Sequence, residues 1–175
     1  RVGTAEAAPI TPDRDVRVWA IGPNRGLLHQ EHMIVDHAGR VHVLLSHLPD
    51  TQPDDADFFR ARSKSEFFHY WRDTDKVWKR QAMHIGVQGV SRGKLAVSSS
   101  DNLYAVLPNI RIAAASAIAA WTNWRLVEVE LNGRYFSDPL IDRQRLRESD
   151  ELTVFTPSVV VNGMVFVDTI RYVLY

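Results

Sequence analysis

One segment of this chain occurs twice. His32 to Leu45 aligns with Lys94 to Leu107 at an offset of 62 residues. Each copy is a short apolar run, a polar turn with Gly39 or Asn102 near its end, and a second apolar run. Short apolar runs joined by such a turn read as a β-hairpin. Sheet units recurring at long period point to a propeller or an array of sheets. A looser third copy runs from Leu152 to Phe155, through a Pro-containing loop, to Asn162–Val167.

The intervening sequence supplies further strands. Val16 to Ile21 alternates and stops at Gly22-Pro23-Asn24, which predicts a strand with a turn behind it. Pro49 to Ala61 is a polar, Asp-rich excursion of insertion type. Glu66 to Arg72 and Val77 to Gln81 read as strands around the turn Asp73-Thr74-Asp75-Lys76. In the second unit Ile110 to Ala115 supplies a third strand and Trp124 to Glu130 a fourth. Ala113 to Ala120 has helix propensity but lacks a charged outer face, so strand then loop is expected. Asp142 to Ser149 reads as a charged helical turn, and Thr169 to Tyr175 is strongly β-prone.

The fold class expected is all-β, a partial propeller of about three four-stranded antiparallel blades. Residues 16–21 would be the outer strand of a preceding blade, 29–81 and 92–131 two full blades, and 152–175 an incomplete last one. Three blades leave open sheet faces, an aggregation hazard in water. The expected partners are therefore the remaining blades of a larger ring, whose C-terminal portion this chain would form.

Composition narrows the functional classes. Twenty-one basic residues balance 21 acidic ones, which argues against bulk attraction to nucleic acid or anionic membranes. No apolar run approaches the roughly 18 residues of a membrane span. There are no cysteines, so disulfides and thiolate metal sites are excluded. No signal peptide is visible, because Thr4 to Pro9 lacks an apolar core. Five Trp, five Tyr and seven Phe suit a sugar-stacking surface and ordinary strand packing alike.

Read in order, Gly26–Glu31, Val35–Leu44, His69–Asp73, Ser91–Leu95 and Trp121–Arg125 resemble the neuraminidase-repeat-like (BNR) β-propeller family that includes ulvan lyases and rhamnosyl-glucuronate lyases. The resemblance spans roughly Val16 to Tyr175. It implies a seven-bladed ring, a secreted or extracellular protein, and a polysaccharide or oligosaccharide partner. The implied chemistry is carbohydrate cleavage, most often β-elimination beside a uronic acid. The chain departs from the family in lacking the N-terminal blades that supply histidines to the lyases. It also carries Lys76 where the related turn usually has Gly.

Substrate in a propeller meets the mouth of the central channel, where the innermost strands begin. The 62-residue offset makes Gln30 equivalent to Arg92 and His32 to Lys94, just ahead of those strands. Uronate elimination requires the carboxylate to be neutralised, and Arg92 offers a planar bidentate match with Lys94 as a second charge. Tyr70 or His69 is the candidate base. They point to opposite faces of one strand, and Arg72 shares Tyr70's face, where a cation would favour the ionised phenol. His29, Gln30 and Glu31 suit a sugar hydroxyl or a Ca2+ or Mg2+ ion in the channel, although His29 and Glu31 alone do not define a metal site. Trp124, with Trp121, suits stacking on a sugar ring or core packing. His37 and His47 read as solvated, and His42 as buried or channel-facing. Rival functions are a glycoside hydrolase of rhamnose-type linkages, which needs two opposed carboxyls, and a non-catalytic carbohydrate-binding propeller.

Overall fold

The computed structural model describes residues 18–28, 32–129, 138–161 and 164–173. A first sheet holds β1 (His32–Val35), β2 (Val41–His47), β3 (Glu66–Arg72) and β4 (Trp78–Gly86) in sequential antiparallel order. A second holds β5 (Lys94–Val97), β6 (Leu103–Leu107), β7 (Arg111–Ala115) and β8 (Arg125–Val129) in the same order. A third holds β9 (Leu140–Ile141), β10 (Glu151–Val161) and β11 (Met164–Val173). Helix α1 (Phe58–Ser63) lies within the excursion between β2 and β3, and α2 (Arg143–Ser149) between β9 and β10.

The two repeated hairpins superpose in register as well as in sequence. Asp36 N–H donates to the Arg40 carbonyl (3.1 Å) and Gly39 N–H to that of Asp36 (3.1 Å). Sixty-two positions on, Ser98 N–H donates to Asn102 (3.0 Å) and Asp101 N–H to Ser98 (3.0 Å). The left-handed residue is Gly39 (φ +78°) in the first turn and Asp101 (φ +59°) in the second, so Asp101 rather than Asn102 is Gly39's counterpart. The β3–β4 turn repeats the pattern, with Lys76 N–H donating to Asp73 (2.8 Å) and Lys76 at φ +64°.

The sheets stack through their faces like successive blades. Between the first and second lie Leu44, Phe67, Met83 and Ile85 against Leu95, Ala105, Leu107 and Ala113. Between the second and third, Val106, Ile110 and Ile112 meet Leu146, Leu152 and Val154. The inner strands are neighbours too, β1 beside β5 and β5 beside β9. This is the radial arrangement of a propeller, with one edge of each blade turned to a common axis.

Three expectations are corrected. Val18 to Ile21 is irregular, not strand; residues 16 and 17 lie outside the described residues. Trp19 instead covers the first sheet with its side chain, edge-on to Tyr70 (6.1 Å) and under the Arg80 guanidinium (4.5 Å). The third blade begins at β9, ahead of the predicted Leu152, and α2 separates its first two strands. Pro157 sits inside β10, where the register shifts between Pro157 and Val160, so the expected loop is a bulge. The excursion after β2 is ordered by Arg25, whose guanidinium donates to the carbonyls of Leu48 (2.9 Å), Pro49 (2.7 Å) and Gln52 (2.7 Å).

Candidate functional site

His32 opens β1 and Lys94 opens β5, the equivalence that the offset predicts. Because β1 and β5 are adjacent inner strands, the two side chains reach one cavity of about 240 Å³, lined also by Leu140, Ile141 and Arg143. Leu95 N–H on the inner edge of β5 donates to His32 Nδ1 at 2.9 Å, which satisfies an edge donor that no strand among the described residues pairs. His32 Nε2 lies 2.8 Å from Arg143 Nη2. Burial, with Arg143 and Lys94 nearby, pushes the His32 pKa down to about 4, so the ring is neutral. Neither Lys94 nor Arg143 has a carboxylate partner among the described residues. A second cavity, of about 250 Å³, continues along the inner strands past Ile34, Leu95, Val97 and Leu146 and shares Ile141 and Arg143.

Arg92 stands two residues before Lys94 and is held by Asp138. Its backbone N–H donates to Asp138 Oδ1 (2.6 Å) and its guanidinium to Oδ2 (3.1 Å). Arg92 does not line the cavity of His32 and Lys94. His29, Gln30 and Glu31 lie outside the described residues. No group of three His, Asp or Glu side chains suited to a metal ion occurs among the described residues.

The two base candidates lie elsewhere. Tyr70 is fully buried on the face of β3 away from the second sheet. His47 Nδ1 is 2.7 Å from the Leu48 carbonyl, which can only accept, so its Nε2 accepts from the Tyr70 hydroxyl at 2.7 Å. Burial pushes the Tyr70 pKa up to about 12, against the lowering expected. The cation beside the phenol is Arg80, its cross-strand neighbour, while Arg72 turns to donate to the Lys76 carbonyl (3.2 Å).

His69 faces the second sheet and is also fully buried. It ends a relay that begins at Asp36. Asp36 takes the Arg40 guanidinium (2.6 Å) and His42 Nε2 (3.1 Å), and His42 Nδ1 meets His69 Nε2 at 2.9 Å. Burial works against the Asp36 carboxylate, yet hydrogen bonds from Arg40 and His42 bring its pKa below the usual range. Burial also lowers His42, and burial, with the repulsion a protonated His42 would exert, lowers His69 well below an ordinary imidazole. Trp121 is core, donating to the Asp101 carbonyl (2.9 Å) beneath Arg40. Trp124 packs edge-on to His69 (5.5 Å) between the sheets. Of the histidines expected at the surface, His37 is exposed, paired to Asp101 at 2.7 Å, but His47 is buried. His42 is buried.

The offset singled out His32 and Lys94, and the fold places them together. Arg143 carried no such signal, since it enters from a helix with no counterpart in the other blades. No curated protein matches the chain. The model of a family described as BNR repeat-containing family member matches residues 2–84, a span that takes in β1 to β3 and most of β4. The first blade is thus similar to the BNR repeat family.

Proposed function

We propose that this chain belongs to a larger carbohydrate-active propeller whose parent protein cleaves an acidic polysaccharide by β-elimination beside a uronic acid. The observation that supports this reading is the charge of the inner-strand cavity. Lys94 and Arg143 line it without a carboxylate partner among the described residues, at the place where a ring's channel opens. Elimination removes the proton beside the carboxylate and breaks the neighbouring C–O bond. A C=C bond forms and the leaving oxygen takes a proton. Fixed cations near the carboxylate stabilise the charge that develops before the C–O bond breaks. Tyr70 and His69 are fully buried on β3, two strands from β1 in the first sheet, and neither lines this cavity, so neither is assigned as the proton acceptor. The BNR-repeat likeness of residues 2–84 supports the carbohydrate class and not the lyase step.

The test is the intact protein on uronate-containing polymers. An unsaturated uronate absorbing in the far ultraviolet is expected. Lys94→Ala should lower turnover by about a hundredfold, the scale of losing one preorganised charge contact. Reducing sugar without the unsaturated product would replace the lyase with a hydrolase, and binding without cleavage would leave a carbohydrate-binding propeller.

A further inference from the structure

Resting on that reading, we propose that His32, Arg143 and Lys94 form the binding site for the uronate carboxylate, with His32 acting as a neutral hydrogen-bond donor through Nε2. The argument begins at Leu95. A backbone N–H can only donate, so its 2.9 Å contact uses the lone pair of His32 Nδ1. A neutral ring then carries its proton on Nε2. Arg143 Nη2, 2.8 Å from that atom, is also only a donor.

Two donors therefore face each other with no acceptor between them. No tautomer relieves this while Leu95 holds Nδ1. An oxygen placed beside both would accept from each, and Lys94 on the same cavity wall adds a second positive charge. The acid nearest in sequence to this wall among the described residues, Asp142, caps α2 by accepting from the N–H groups of Gln144 (3.1 Å) and Arg145 (3.0 Å), and Asp138 is occupied twice over by Arg92. A carboxylate fits better than a hydroxyl, because it brings two oxygens with about four lone-pair sites and a compensating charge. The adjoining groove of Ile34, Leu95, Val97 and Leu146, reached past the shared Ile141 and Arg143, offers an apolar floor for a sugar face.

The experiment is nitrogen NMR of the intact protein with 15N-labelled histidines, titrated with glucuronate, glucose or sulfate. There are seven histidines, and the signal lost in His32→Gln assigns residue 32. The free protein should show the Nε2–H tautomer. Glucuronate should move that signal and raise the His32 pKa, since a bound anion opposes the effect of Lys94 and Arg143, the charged groups beside it. Arg143→Ala and Lys94→Ala should each weaken glucuronate binding at least tenfold. His32→Gln, which keeps a donor near the Nε2 position, should retain most of the affinity that His32→Leu loses. An Nδ1–H tautomer, a His32 signal that glucuronate leaves unmoved, an equal response to glucose, or a response to sulfate alone would each overturn the assignment. Unsaturated product from a protein whose His32 ignores glucuronate would end this inference and keep the lyase. Binding without cleavage by the parent would do the reverse.

Discussion

At the scale of single residues, the main electrostatic feature is a set of histidines kept neutral by their surroundings. Burial is the leading cause at His32, His42, His47 and His69. The sign of the consequence follows from linkage. An unfolded histidine takes a proton near pH 6.5, whereas the folded protein refuses it until lower pH, about 4 for His32. Between those values the unfolded chain binds more protons, so stability falls as pH drops. Urea midpoints should decline from about pH 6.5 downward, ahead of the carboxylate range. The Asp36 contribution is lost only at lower pH still, since its folded pKa is depressed. Midpoints level between about pH 7 and 5 would show that these histidines protonate without unfolding. At Tyr70 the same burial acts on an acid and raises its pKa, so one physical cause quiets both candidate bases.

At the scale of elements, one turn geometry serves three hairpins, and only the first has glycine at the left-handed position. Lys76 holds φ +64° in the third. A left-handed L-residue costs about 1–2 kcal/mol, and glycine loses about 0.5–1 kcal/mol more backbone entropy on folding than alanine. Lys76→Gly should therefore stabilise the protein by about 0.5 kcal/mol, read as a small upward shift in Tm. A drop in Tm would mean that the Lys76 side chain contributes more than its backbone strain. The hairpins were legible because their turn chemistry is local. The first strand of the third blade was not, because β9 has two residues and α2 interrupts the pattern, leaving too little period to recognise.

At the scale of the whole molecule, the first two blades pack closely at the foot of β5. Gly93 precedes β5 where the first two sheets meet. A Cβ there would lie 2.6 Å from Leu44 Cδ2 and 3.1 Å from Leu107 Cδ2, both in fully buried side chains. Gly93→Ala should destabilise by about 1–3 kcal/mol, the usual penalty for overpacking a filled core. Denaturant unfolding measures it, and an unchanged midpoint would mean that the two leucines move aside freely. The same substitution sits one residue from Lys94, so loss of sugar binding without loss of stability would separate the site from the packing.

Periodicity and turn residues along the chain determined most of the strands, the paired hairpins and the equivalence of His32 with Lys94, because those depend on neighbours within a few positions. Depth and company were decided only by tertiary structure. His69 and Tyr70 looked reactive on their strand and are enclosed by packed sheets, while Arg92 is neutralised by Asp138 from 46 residues away. Arg143 reaches His32 across 111 residues. Alternation along a strand tells which face a side chain takes, but what covers that face comes from another blade, and burial and charge pairing follow from that cover.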